Sequence, residues 1–204
     1  MSKTADICDR RVDAFVAAVN SSPRKTLRQS EVPPECVIST SDDLVDWVDW
    51  HIVPSNGAPW LPGVEASFSF RLPASFRSLI ARYLFPSFEA GPLFLYSVGV
   101  RDPKSTGEEF RYAIFDAIMF PFLIDKGLLR FARPEDWSYD PVCFDFRSAN
   151  RKSEPAVVRV DHEGILCNDR LRVIETISPA FHELMEDMTR SLRNKSDRTT
   201  PTPP

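Results

Sequence analysis

The residues able to do chemistry are few. Histidine stands at His51, His162 and His182 only, and neither an HExxH pair nor a GxSxG elbow surrounds any of them. Cys167 follows His162 by five residues, the one Cys–His spacing that would suit a thiolate nucleophile with its base. A cysteine in a β-rich region is otherwise a small buried hydrophobe. Asp161, His162 and Glu163 form a polar run of metal-ligating types. Successive side chains on a strand point to opposite faces, so three in a row converge only at a turn. A solvated cluster at a turn is the plainer expectation. The carboxylates Glu135, Asp136, Asp140 and Asp145 surround one short apolar run, Val142 to Phe146. Paired carboxylates perform acid–base work when two share a site; placed at strand ends they are ordinary solvated charges.

Glycine is scarce, 7 residues against 18 prolines. No two glycines lie two or five apart, so neither a dinucleotide fingerprint nor a Walker A loop is present. The cysteines Cys8, Cys36, Cys143 and Cys167 show no CxxC spacing, which removes a zinc ribbon or a thioredoxin-type pair. Asp6, Asp9 and Asp13 interrupt the first twenty residues, against a secretory core. The longest apolar stretch, Ala113 to Ile124, is broken by Asp116 and Pro121 and is too short for a bilayer. The expectation is a cytoplasmic protein with reduced thiols, no cofactor and no membrane.

The formal charge of −4 is unevenly spread. Between Asp42 and Leu192 there are 23 acidic and 16 basic residues, a balance of −7, while the two ends together carry +3. An acidic body argues against direct nucleic-acid binding, whose footprint is basic, and is compatible with a basic partner. Arginines and aromatics interleave from Phe68 to Phe88 as on a base-stacking platform, but helical periodicity assigns most of those aromatics to a core.

These groups must be positioned by a mixed set of elements. Asp6 to Val19 has helical spacing through Cys8, Val12, Phe15, Val16 and Val19. Ser21 to Pro34 reads as a linker, so this first helix is an appendage that docks on the body or on a partner. Ser41 is a candidate N-cap for a short helix with Leu44, Val45 and Val48 on one face, between Trp47 and Trp50. Pro54 to Pro62 is a loop. Phe76, Leu79, Ile80, Tyr83 and Leu84 form one apolar stripe of a helix stopped by Pro86. Glu108 to Lys126 is mostly helical with a break near Pro121. Strands are expected at Leu93 to Val98, Leu128 to Ala132, Val142 to Arg147, Ala156 to His162 and Leu171 to Ile177. Ser178-Pro179 opens the last helix, with Phe181, Leu184, Met185, Met188 and Leu192 inward. The division expected is 1–41 helix and linker, 42–192 a single α+β domain, and 193–204 a disordered tail.

Five segments resemble the SUKH superfamily of Smi–Knr type, in order: Leu72-Pro73-Ala74-Ser75-Phe76-Arg77, Leu128-Leu129-Arg130-Phe131-Ala132, Asp140-Pro141-Val142-Cys143-Phe144-Asp145, Pro155-Ala156-Val157-Val158-Arg159 with Asp161-His162-Glu163, and Ser178-Pro179-Ala180-Phe181-His182-Glu183-Leu184. The resemblance covers roughly Val64 to Met188. The usual glycine pair after the main helix is replaced here by a proline- and aromatic-rich stretch, Phe85 to Leu93. It implies a twisted, largely antiparallel sheet with helices packed around it, and a non-enzymatic protein-binding role. Bacterial members are typically immunity proteins that neutralise toxins, often nucleases, by occlusion. The acidic body suits such a basic partner. On this reading Glu135, Asp136, Asp140, Asp145, Asp161 and Glu163 share one sheet edge as the partner-binding surface. The alternatives are a regulatory scaffold that docks partners through its N-terminal helix, and an enzyme using Cys143, Cys167 or His162. The oligomeric state is left open.

Overall fold

The apolar runs between Leu128 and Val160 build the centre of the molecule, because most of their residues are buried. The computed structural model describes residues 3–22, 25–40, 46–67, 70–97, 116–136, 138–147 and 154–198. In chain order the elements are α1 (Lys3–Ser21), β1 (Thr26–Arg28), β2 (Val37–Thr40), β3 (Trp47–Trp50), β4 (Val53–Pro54), α2 (Leu61–Glu65), α3 (Ala74–Arg82) and β5 (Tyr83–Leu84). They continue with β6 (Phe88–Ala90), β7 (Leu93–Leu95), α4 (Met119–Asp125), β8 (Leu128–Pro134), β9 (Val142–Asp145), β10 (Ala156–Val160), α5 (His162–Asn168), β11 (Val173–Ser178) and α6 (Phe181–Arg198). The fold is α+β with an N-terminal helix.

Among the described residues the main sheet has six antiparallel strands in the order β11-β10-β9-β8-β7-β6. All four residues of β9 are buried. Val142 and Phe144 enter the larger core, while Cys143 enters a second one with Met119, Leu123, Leu128, Val158, Val160 and Ile165. Helices cover both faces, which is why Val142, Cys143 and Phe144 read as a continuous apolar run. The larger core is built on rings. Phe131 and Phe144 stack at 3.9 Å, and Phe76 and Phe181 meet them edge-on at 5.1 to 5.7 Å. Such pairs stabilise by roughly 0.5–1.5 kcal/mol beyond their area.

The N-terminal helix docks on the body, packing against α6 and α3. Val12, Phe15, Val16 and Val19 join the same core as the rings. The stretch read as a linker contains β1, which pairs with β3 in a small sheet ordered β1-β3-β2. Val48 sits in β3 and not in a helix; Ser41, Leu44 and Val45 lie outside the described residues.

Three boundaries differ from the periodicity. The main helix ends at Arg82, and Tyr83 and Leu84 leave it to pair with Pro54 and Val53. A cross-chain ladder overrides the helical stripe there. The helix around Pro121 begins only at Met119, which puts the proline in the first turn, where it costs no hydrogen bond. Asp116 caps that turn, its Oδ1 accepting from the Ile118 and Met119 N–H groups at 3.1 and 2.8 Å. The first part of that expected helix, residues 108–115, lies outside the described residues. At the other end, α6 runs through the expected tail to Arg198; Leu192 still packs on the core, so the helix continues past it. Residues 199–204 lie outside the described residues. Among the described residues, no helix is long and apolar enough to cross a membrane.

Candidate functional site

The loop before β9, the end of β10 and the start of α5 meet at Asp140. Val142 pairs with Arg159 across the β9–β10 ladder, so the residues just before β9 and just after β10 lie together. Asp140 is buried, and every oxygen is used. Its Oδ2 accepts from Arg159 Nε and Nη2 at 2.8 and 2.7 Å. Its Oδ1 accepts from the His162 backbone N–H at 3.1 Å and lies 2.7 Å from His162 Nδ1. Burial alone would raise its pKa; hydrogen bonds from His162, Ser138 and Arg159 outweigh that and hold it down at about 2. The carboxylate is therefore ionised at neutral pH. That assigns the proton to His162 Nδ1 and leaves Nε2 as the outer nitrogen.

Arg159 completes the network. Its Nη1 lies 3.0 Å from Asp136 and 3.9 Å from Glu175. Burial opposes its charge, and the pairs with Asp140 and Asp136 more than restore it, so its pKa is raised. Beside it is an open pocket of about 460 Å³ lined by Glu135, Asp136, Arg159 and Glu175, with apolar walls from Pro92, Pro134 and Ile177.

Asp161 precedes α5 and pairs with Arg172 at 2.9 Å. The polar run Asp161-His162-Glu163 is thus the entry to a helix and not a turn-facing cluster. Gly164 makes this entry possible: a Cβ there would lie 2.9 Å from the Arg170 carbonyl oxygen and 3.2 Å from Asp161 Oδ2. Asp140, Asp161 and His162 each bring a donor atom within 4.8 Å of the others. The set is poorly suited to a metal, since Asp140 is saturated and the Arg159 cation already sits on it; a divalent ion would have to displace both Arg159 and His162.

The sequence-derived surface is only partly assembled. Asp136, Asp140 and Asp161 are brought together, with exposed Glu135 and Glu163 at the margin. Asp145 is separated from them. It ends β9 opposite Ala156, three residues from Val142, or about 10 Å along the strand. There it binds Arg147, with Nε and Nη2 at 2.8 and 2.5 Å, and this pair lowers its pKa. Asp140 and Asp145 are both buried and both paired. They are framework residues, while Glu135, Asp136 and Glu163 are exposed. Glu175 on β11 belongs to the same surface and escaped the sequence reading. Its signal was position on a strand neighbouring β10, visible only once the pairing is known.

A second polar centre was also missed. Glu154 Oε1 accepts from the Ser75 N–H at 2.7 Å, and Ser75 Oγ lies 2.7 and 2.8 Å from its two oxygens. Oε2 accepts from the His182 N–H at 3.1 Å and lies 3.0 Å from His182 Nδ1. Serine, carboxylate and histidine are all present, but the carboxylate stands between the other two. His182 cannot take the serine proton, so the arrangement is a double helix cap and not a nucleophile with its base.

The thiols differ sharply in setting. Cys143 is fully buried, and burial raises its pKa. Burial likewise pushes Cys36 up to about 12. Cys167 lies in α5, not in a strand, and is exposed. Five residues along a helix place Cys167 and His162 on different faces, so the sequence spacing does not make them a pair. The comparison with known proteins gives no match, either to a protein-family model or to a curated protein.

Proposed function

We propose that the protein is a non-enzymatic binding module that occludes a basic protein partner, with the acidic end of its main sheet as the recognition face. The observation that carries this reading is the arrangement around Arg159. Exposed Glu135, Asp136, Glu163 and Glu175 surround a frame fixed by the buried Asp140–Arg159 pair. Glu163 and Glu175 are carried on α5 and β11, and Asp136 is tied to Arg159, so these carboxylates give a directed negative field at little entropic cost on binding. The resemblance to SUKH proteins points to a nuclease-type toxin as the partner, met in the cytoplasm. The docking-arm reading is less well supported, because the apolar face of α1 is buried within the chain's own core. Cys143 is sealed, which weakens the enzyme reading for that residue.

The test is association kinetics against a basic nuclease encoded beside this gene, at low and high salt. Glu135→Gln, Glu163→Gln and Glu175→Gln together are expected to lower the on-rate at least tenfold at low salt, with the off-rate nearly unchanged. The difference should vanish at high salt, as exposed charges are screened within about 8–10 Å at physiological ionic strength. An on-rate indifferent both to salt and to the triple substitution would overturn the acidic-face reading.

A further inference from the structure

The small sheet near the start of the chain forms a cleft remote from the acidic end in sequence and different from it in chemistry. The cleft has a volume of about 290 Å³, and its lining includes Lys25, Ser39, Asp49, Trp50 and His51. Two of these carry donors that lack an acceptor among the described residues. Trp50 is 3% exposed, and its indole N–H is sealed from solvent without a hydrogen-bond partner. Lys25 lies with its ammonium 5.2 Å from the centroid of the Trp50 ring. No carboxylate among the described residues forms an ion pair with it. Burial alone lowers its pKa to about 8.

Buried donors in folded proteins are satisfied by protein, by water or by a bound ion, and an exception calls for an explanation. Here one such exception, the neutral N–H of Trp50, adjoins a half-buried cation short of a counter-charge, that of Lys25. We propose that this cleft binds a small carboxylate, held between Lys25 Nζ and the Trp50 indole N–H. A planar head with two oxygens accepts from both donors at once. A dianion such as phosphate is disfavoured, because Asp49 stands in the same lining with its Oδ2 accepting from Ser39 Oγ at 2.9 Å. The Lys25 ammonium lies over the ring face, so the carboxylate enters as this flexible side chain swings aside from the indole. The bound anion favours the charged amine and raises the Lys25 pKa, so affinity falls as pH rises through the free value. Asp49 and His51 are the other titratable groups lining the cleft among the described residues.

The experiment is a titration of the ¹⁵N-labelled full chain with sodium acetate, with sodium chloride at matched ionic strength and with sodium phosphate. It is read at the Trp50 indole N–H and the Lys25 side-chain resonances in nuclear magnetic resonance spectra. Acetate is expected to give a saturable shift of the Trp50 indole signal and to move the Lys25 titration upward by about one unit. Chloride should do neither. Lys25→Gln and Trp50→Phe, the second keeping the ring and removing the donor, are each expected to weaken acetate at least tenfold. Should Trp50→Phe fail to fold, Lys25→Gln together with the wild-type Lys25 titration decides. No saturable shift with acetate, phosphate binding as tightly as acetate, or undiminished binding by Lys25→Gln would each overturn the proposal. None of these outcomes bears on the acidic end of the main sheet.

Discussion

Ser75 and His182 open different helices and meet on one carboxylate, that of Glu154. The first turns of α3 and α6 each leave backbone N–H groups without intrahelical acceptors, and Glu154, two residues before β10, supplies acceptors to both. Neither helix needs a cap from its own sequence. Loss of this carboxylate loosens two helices and the start of a central strand together. Glu154→Ala is expected to cost about 1–3 kcal/mol, the sum of two caps. Ser75→Ala should cost about 1 kcal/mol, since it removes one hydroxyl and keeps the backbone bond. Urea unfolding checks both, and equal midpoints for wild type and Glu154→Ala would refute the double-cap account.

Asp140 makes the fold sensitive to acid. Its folded pKa of about 2 lies below the value of about 4 for an unfolded aspartate. The unfolded state therefore binds the proton more readily. The stability this gives is fully present above about pH 4 and is lost as pH falls toward 2. About 2–3 kcal/mol follows from a shift of that size. Asp140→Asn should lower stability at pH 7 and flatten its decline between pH 4 and 2, measured by urea midpoints across that range. An unchanged acid slope would assign the sensitivity to another group.

The legibility of this architecture in the sequence follows from where each constraint acts. Local patterns served well where a segment's own apolar face decides its structure. The helical spacing of Val12, Phe15 and Val19, the β-rich Val157 and Val158, and the inward Phe181 and Met185 are all core residues. Patterns failed where a distant partner decides. Tyr83 and Leu84 continue a helical stripe, yet pair with β4. The acidic site was half legible for the same reason. Carboxylates near one strand could be counted, but the arginines that neutralise Asp140 and Asp145 come from β10 and from the residue after Phe146. Charge counting cannot separate a carboxylate that builds the frame from one that faces a partner. Glu154 illustrates the limit: nothing around it in sequence marks a residue that serves two helices.

The phase of α3 gives a direct packing test. Leu79 and Ile80 are 0% and 1% exposed, so replacing either with alanine should cost about 2–5 kcal/mol. Arg77 is half exposed, and its Nε lies 3.0 Å from Glu65. An exposed pair of this kind contributes about 0–1 kcal/mol, so Arg77→Ala should fall well below the core changes. Comparable losses for all three would contradict the burial of this helix face.

Two glycines should respond to alanine with opposite signs. Gly63 lies in α2 with nothing within 4 Å of an added Cβ, so Gly63→Ala should stabilise by about 0.4–1 kcal/mol through the unfolded chain. In α5, Gly164 faces the backbone carbonyl of Arg170 at 2.9 Å, which cannot swing away as a flexible side chain does. Gly164→Ala should destabilise by about 1–3 kcal/mol and disturb the entry that holds His162 against Asp140. Thermal unfolding distinguishes the signs, and a stabilised Gly164→Ala protein would show that the α5 turn is looser than its contacts require.

The thiols provide a graded probe of opening. Cys167 is exposed and should react with a disulfide reagent within the mixing of native protein and reagent. Cys8 is half-buried, and its pKa is raised chiefly by burial, so it should follow more slowly. Cys36 and Cys143 need more than side-chain motion. The Cys36 thiol is buried, lies 3.4 Å from the Leu84 carbonyl and is held at about 12, while Cys143 lies between β9 and the helices over the second core. A thiol reacts as the thiolate, so both must reach water before they can attack. Cys143 sits on a central strand and should react only through global unfolding, slowed by the full folding equilibrium, on the order of a thousandfold or more. Cys36 adjoins the small β1-β3-β2 sheet, which has far fewer strands to break. Labelling timed by mass spectrometry is therefore expected in the order Cys167, Cys8, Cys36, Cys143. Cys143 reacting with Cys167, ahead of unfolding followed by circular dichroism, would mean that the second core opens in the native state, and would restore Cys143 as a nucleophile accessible to substrate.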